Sequence, residues 1–415
     1  MRAPDRVRAA ALKLAATTPE PISAYVYDLA ALDEHAAWLR ATLPAACELF
    51  YAVKANPEPR ILETLAPHVD GFEVASGGEL AQVSARFPQV PVIFGGPGKT
   101  DSELAQALEA GAEVLHVESR SELERLAWTA RSRGRVAAVL LRVNLRVGDL
   151  PDTPLTMGGR PTPFGIDAAE IPGCLAWLEQ HPELQLRGFH FHLLSHQLDA
   201  RAHLRLLAAY AEQVRAWQSR YGLTTDLLNV GGGIGVNYRN PAQSFDWSTF
   251  CTGMQALTAT LPGVRWRLEL GRFVTAGCGY YAMQVIDLKH NLGEAFVVAR
   301  GGTHQFRTPA AQGHNHPFEV LAVDSWPHAY SRVELAGGLV TVVGQLCTPK
   351  DVLARRVPVG RVRAGDLLLF SLAGAYAWNI SHQQFLSHPA PQMVFLAVDQ
   401  GGPVQQEGTR REELC

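Results

Sequence analysis

From about residue 48 to 275, short runs of apolar, β-branched and aromatic residues alternate with longer segments whose apolar positions recur at helical spacing. The short runs are "ELFYAV", "GFEVAS", "PVIFGG", "EVLHVES", "AAVLLRVN", "LRGFHFHLL", "LLNVGGG" and "RWRLELGR". Between them lie "SGGELAQVSARF", "TDSELAQALEAG" and "SRSELERLAWTARSR", each opening on a Ser or Thr ahead of acidic residues, as helix starts do. Eight strand–helix units predict a parallel (β/α)8 barrel over 29–275, with an open doubly wound sheet as the rival. After residue 275 the pattern changes to alternating strands broken by Gly and Pro: "YYAMQVIDLKH", "EAFVVARGG", "RVELAGGLVTVVGQL", "GDLLLFSLAGAYAW" and "PQMVFLAV". This predicts an antiparallel β domain, a barrel or sandwich, over 276–415. No helix precedes the early run "SAYVYDL" in a way that suits the barrel, so residues 1–28 are assigned to the β domain as well. The loop 146–163 and the tail from Gly401 read as mobile.

A chain of 415 residues exceeds the size at which one core stops growing, which agrees with two domains. Hydrophobic content of 47%, charged content of 19% and a net charge of −3 describe an ordinary globular protein. They give no reason to invoke nucleic acid or an anionic membrane as partner. No apolar run approaches the length of a membrane span, and the opening "MRAPDRVRAAALKLAATTPE" reads as a solvated first helix without the apolar core of a signal peptide. Cysteines 47, 174, 251, 278, 347 and 415 are scattered without CxxC spacing. That pattern predicts reduced thiols in the cytoplasm and no metal cluster.

In a barrel, chemistry collects at the C-terminal ends of strands. Four ends carry unusual residues. The first run finishes in Lys54, an amine that can attack a carbonyl where a strand leaves the core. The sixth gives "HFHLLSH", with His190, His192, Ser195 and His196. The seventh gives "GGGIG", where Gly231, Gly232 and Gly233 let backbone N–H groups approach an anion. The eighth gives "ELGR", with Glu269 and Arg272. A Schiff-base lysine, a flat stacking group, a phosphate cradle and a carboxylate for a pyridinium nitrogen together describe a pyridoxal phosphate site. Singly, each has a plain alternative: a snorkelling lysine, a core histidine, a turn, an internal ion pair. Two other functions compete. A metal-dependent barrel hydrolase could use His190 and His192, which share a face at period two. A regulator that has lost its chemistry should lack Lys54 or Cys347, and both are present.

These motifs resemble the fold-type III pyridoxal phosphate decarboxylases, which include ornithine and diaminopimelate decarboxylases. The resemblance runs from "YVYDL" to "GAYAW". It implies that Lys54 of "YAVKAN" binds the cofactor, that His192 stacks on its ring and that Ser195 holds phosphate. It places Gly231 to Gly233, Glu269, Leu270, Gly271 and Arg272 at the remaining phosphate and ring-nitrogen positions, with Tyr376 as a phosphate-binding tyrosine. Glu73 and Arg142 fall where the family has an Asp and an Arg near the cofactor. "GQLCTPKD" is similar to the family's cysteine motif, implying that Cys347 of one subunit protonates the carbanion in the other, hence a homodimer with shared sites. Two departures, "HLLS" and "ELGR", change shape beside the phosphate. A third concerns the substrate: ornithine and diaminopimelate decarboxylases have an acid after the cysteine, and here Thr348 follows it. Arg307, His304, His314 and His316 nearby point to an anionic or polyhydroxylated distal group. The wording "GFHFHLLSHQLD" and "GAYAWNISHQQFLSHPAPQ" most resembles the siderophore-biosynthesis branch of the family, similar to the decarboxylase of citryl-diaminopropionate in staphyloferrin B assembly. Diaminopimelate- or ornithine-type activity is the alternative.

Overall fold

The strands that carry the site are short, apolar and shut off from water on both faces, as parallel pairing beneath helices requires. The computed structural model describes residues 2–148 and 156–397. Part of the loop expected to be mobile (149–155) and the whole tail from Gly401 lie outside the described residues. The chain divides into two compact units: His35–Asn237 with Pro241–Val274, and Met1–Glu34 with Tyr238–Asn240 and Thr275–Cys415.

Strand β1 (Ser23–Asp28) belongs to the second unit. The first unit holds β2 (Cys47–Ala52), β3 (Gly71–Val74), β4 (Val92–Phe94), β5 (Val114–Val117), β6 (Ala137–Asn144), β7 (Ile166–Asp167), β8 (Leu184–His190), β9 (Leu227–Asn229) and β10 (Arg265–Leu270). Their order is β5-β4-β3-β2-β10-β9-β8-β6, and β5 also pairs with β6. All eight of these pairings are parallel, so the sheet closes on itself; β7 merely extends the end of β6. The expected (β/α)8 barrel forms, and the open sheet does not. Phe50, Ile93, Val114, Leu140 and Leu227, from five different strands, pack into one buried cluster. The intervening helices start where their polar residues predict. Ser76 and Ser119 accept hydrogen bonds from the amides of Glu79 and Glu122, and Thr100 with Glu103 forms a reciprocal capping box. Each cap contributes about 1 kcal/mol.

The second unit contains β11 (Gly279–Asn291), β12 (Glu294–Ala299), β13 (Phe318–Leu321), β14 (Glu334–Leu335), β15 (Gly338–Val343), β16 (Val352–Val359), β17 (Val362–Arg363), β18 (Leu367–Phe370) and β19 (Gln392–Leu396). Its main sheet runs β13-β18-β11-β12-β15-β16, and β1 lies between β11 and β19. The unit is mixed rather than antiparallel, because β12 pairs with β15, and β1 with β19, in parallel. The chain leaves β12 and passes through other elements before returning as β15, and that long connection permits parallel pairing. The early run "SAYVYDL" supplies β1, antiparallel to β11. The first helix, Asp5–Thr17, is solvated on one side only. Val7, Ala11 and Leu14 form a buried stripe against Ile22, Val26 and Leu367.

Candidate active site

The barrel brings strand ends together that are far apart in sequence. Lys54 stands in the 3-10 turn Val53–Ala55 that follows β2, and its Nζ donates to Oε2 of Glu73 on the neighbouring β3. The lysine side chain is 43% exposed and the carboxylate only 5%, so the amine faces the open end of the barrel while its partner is buried. Burial pushes the Glu73 carboxyl up to about 7, against the pull of Lys54. Between its ordinary value of 4.5 and about 7 the folded state therefore binds the proton more tightly than the unfolded chain does. Stability falls as pH rises through that window. Glu73→Gln is expected to remove this loss in cofactor-free protein. Its melting temperature relative to the unmodified chain should rise between pH 5 and pH 8; parallel curves would show that Glu73 does not titrate there.

A second group surrounds Glu269 on β10. Asn229 at the end of β9 donates from Nδ2 to Glu269 Oε1 at 2.8 Å. His116 Nδ1 and His190 Nε2 approach its two oxygens at 3.5 Å each, and the two imidazoles lie 4.2 Å apart. Burial disfavours the carboxylate, but His190, His116 and Lys54 outweigh that penalty and hold Glu269 well below the ordinary carboxyl range. Burial drives His116 the other way, to the neutral form, and neighbouring His190 adds to the effect. The site thus sets an ionised carboxylate beside the neutral imidazole of His116.

His192 is separate from this group. Burial, then the charge of Arg142, pushes its imidazole down to about 3. Its Nδ1 accepts from Gly232 N at 3.2 Å, which leaves the proton on Nε2, 3.4 Å from Ser195 Oγ. His190 faces Glu269 while His192 faces Gly232 and Ser195, so the two do not converge as paired metal ligands would. His116, His190 and Glu269 do bring three potential ligand atoms within 4.8 Å of one another.

The glycine triplet is used for close packing as well as for its amides. A Cβ on Gly232 would lie 2.0 Å from the Glu269 carbonyl, and Gly231 adopts a left-handed φ of +66° against His192. Gly231 N donates to Asn229 Oδ1 at 2.9 Å and Gly232 N to His192. Only the Gly233 amide has no acceptor among the described residues. Arg142 on β6 is buried and donates to Glu118 Oε1 at 2.7 Å, with its guanidinium over Phe164. Leu270 ends β10 and Arg272 opens the short helix Arg272–Thr275, with Gly271 between them.

Further residues singled out in the sequence lie in the second unit. Cys347 is exposed. Thr348 anchors its loop, its carbonyl accepting from Asp351 N at 3.1 Å. Arg307 is exposed, with its amide donating to Ser381 Oγ. Tyr376 holds a left-handed φ of +51°, uncommon for a residue with a Cβ, and its carbonyl accepts from Thr308 Oγ1. His304 does not match the reading of a cationic contact. It is fully buried, and burial together with His388 and His382 holds it down to about 4, leaving it uncharged at neutral pH. His316 is structural, its Nε2 donating to the Ser371 carbonyl at 2.7 Å.

Residues 29–276 match the family described as pyridoxal-dependent decarboxylase, pyridoxal binding domain. The chain belongs to the pyridoxal-dependent decarboxylases. It is 42% identical to a 2-[(L-alanin-3-ylcarbamoyl)methyl]-2-hydroxybutanedioate decarboxylase of Staphylococcus aureus, over 91% of this chain and 94% of that one. It is 31% identical to a diaminopimelate decarboxylase of Zymomonas mobilis, covering 85% and 82%. Among solved structures, a variant of Helicobacter pylori diaminopimelate decarboxylase complexed with L-lysine superposes with a TM-score of 0.82 at 25% identity, over 93% of each chain.

The decarboxylase has donors that fit pyridoxal phosphate: an amine beside a buried carboxylate, a neutral flat imidazole, an ionised carboxylate, and a backbone amide awaiting an acceptor. Sequence reasoning overlooked His116, Glu118 and Asn229. Glu118 holds Arg142 and accepts the amides of Gly96 and Gly165 at 3.0 Å each. A polar residue inside an otherwise apolar run ("VLHV", "LLNV") is the signal that could have found His116 and Asn229.

Proposed function

We propose that this decarboxylase removes CO2 from a citryl-diaminopropionate-type conjugate in siderophore assembly, acting in the cytoplasm as a homodimer with shared sites. The observation that carries the substrate reading is the loop after Cys347. Its one carboxylate, Asp351, is 2% exposed, and its oxygens accept the amides of Thr303 at 2.6 Å and Leu346 at 2.9 Å. Thr348 and Lys350 are what the loop has left to offer a ligand. A substrate with a distal ammonium would find no partner there, and leaving that charge unpaired would cost about 1–3 kcal/mol or more. The staphylococcal relative's named substrate carries instead a hydroxybutanedioate, a distal group with two carboxylates.

In this reading Lys54 holds the cofactor covalently and Glu73 orients the amine. The neutral His192 packs on one face of the ring, and Ser195, Gly233 and Tyr376 hold its phosphate. Glu269 keeps a proton at the ring nitrogen, with Asn229, His116 and His190 keeping that carboxylate charged. The bound cofactor supplies an electron sink for the charge left when CO2 departs. Cys347 of the other subunit then delivers a proton to the substrate carbon. Its exposure on the second unit supports that role. The five described cysteines are free thiols, as a reducing compartment would keep them.

The test is a substrate panel. The cofactor-loaded protein is expected to turn over the citryl conjugate with a kcat/KM at least about tenfold above ornithine, lysine and diaminopimelate. Diaminopimelate or ornithine as the best substrate would overturn the reading.

A further inference from the structure

Glu269 is reached, inside the barrel unit, by a chain of buried donors that starts in the glycine triplet. A backbone N–H can only donate, so the side-chain atom 2.9 Å from Gly231 N must be the oxygen of Asn229. That contact fixes which end of the amide is nitrogen. Nδ2 carries two hydrogens and meets two groups, Glu269 Oε1 at 2.8 Å and His116 Nε2 at 3.3 Å. Asn229 and His116 are both fully buried. Facing an N–H, His116 Nε2 can only accept. His116 is held neutral, and a neutral imidazole has one proton, which must then sit on Nδ1. Nδ1 lies 3.5 Å from Glu269 Oε1 and has no hydrogen-bond partner among the described residues that would draw it elsewhere. His190 differs. Its Nε2 lies 3.5 Å from the other oxygen, Oε2, but neither of its ring nitrogens has a partner among those residues to settle where its proton sits.

We infer that His116 is a positioning residue for the decarboxylation: Asn229 holds it as the Nδ1–H tautomer, and that N–H is aimed at Oε1 of Glu269 as a second donor beside the Asn229 amide. The inference rests on the ring-nitrogen role proposed for Glu269, and adds the direction of each proton and the residue that sets it. Two N–H groups on one oxygen fix the orientation of the carboxylate as well as its charge, before any substrate arrives. Because the first link is the Gly231 amide, the segment read as the phosphate cradle also orients the carboxylate read as the ring-nitrogen partner.

The test reads the tautomer directly, by nitrogen NMR of full-length, cofactor-loaded protein carrying isotope-labelled histidine. The His116 ring, assigned by its absence from the spectrum of a His116 variant, is expected to show a proton on Nδ1 and none on Nε2. A proton on Nε2 would overturn the inference, and the chain observed carries no substitution that could unfold it. Asn229→Asp puts an acceptor where the donor stood and should bring a proton onto Nε2; a bare Nε2 in that variant would overturn the control assigned to Asn229. Two amides then separate the ring nitrogens by function. The Asn side chain places its N–H where Nδ1 stood, and the longer Gln places it near Nε2. His116→Gln and His116→Leu are expected to lower kcat for the citryl conjugate, or for diaminopimelate should the conjugate not be turned over, about tenfold with KM little changed. His116→Asn should recover most of that loss. Turnover by the Gln or Leu variant as fast as by the Asn variant would overturn the inference. Unchanged turnover in Glu269→Gln would instead remove the ring-nitrogen reading, with the tautomer still decided by the spectrum.

Discussion

Lys54→Ala is expected to reduce turnover to that of a no-enzyme control while the protein stays folded. The amine sits in the turn after β2, half open to the barrel mouth, and no second lysine stands beside Glu73 among the described residues. Lys99, also on the barrel, is buried in an ion pair with Glu122 at 2.7 Å and cannot substitute. Protein reconstituted with pyridoxal phosphate should lose its absorbance near ~420 nm, and borohydride should leave no cofactor attached. The same variant tests whether sites are shared. Mixed with inactive Cys347→Ala chains, it should regain roughly a quarter of the original activity, since random pairing makes half the dimers hybrid and gives each one intact site. Cofactor trapped on another lysine would displace Lys54. No recovery despite subunit exchange would place Cys347 and Lys54 in sites built from one chain.

Glu269→Gln is expected to keep the cofactor but lower decarboxylation on the order of 10²- to 10³-fold, the scale of losing one preorganised electrostatic partner. The amide preserves shape and can still meet Asn229, so retention and folding should survive. What it removes is the charge that His190, His116 and Lys54 together sustain. Because that carboxyl titrates well below the ordinary range, the ratio of unmodified to variant rate should stay flat from pH 5 to pH 8. A ratio that collapses toward one at pH 5 would mean Glu269 becomes protonated there, and unchanged turnover would remove it from the mechanism.

Local pattern made much of the barrel legible. Each parallel strand is a run such as "VIF" or "FYA" that can only be buried, and Ser76, Thr100 and Ser119 mark helix starts by their own chemistry. The strand-end residues stood out for a related reason: an amine, a carboxylate or a glycine triplet has little business finishing an apolar run. His116 and Asn229 were hidden inside such runs, because what makes them informative is Glu269 on a different strand. The parallel pairings of β12 with β15 and β1 with β19 were illegible for the same cause, since alternation reports which face is buried and not which strand lies alongside. His304 misled because "GGTHQF" carries no trace of its complete burial, and that burial is the largest influence holding the imidazole uncharged.

The position of β1 between β11 and β19 has a consequence for how the chain is made. Residues 23–28 are made before either neighbour, one being Gly279–Met283 and the other Gln392–Leu396, far downstream. The barrel strands lie in sequence between β1 and Gly279–Met283 and can complete their own pairings first, since all eight are then available. Through that interval the apolar run "SAYVYD" waits with both edges open, the state in which strands recruit the wrong neighbour. The stripe Val7, Ala11 and Leu14, only a few residues upstream, is on hand to shield it. A helix that looks dispensable for chemistry would then serve as the chain's own chaperone until β19 arrives.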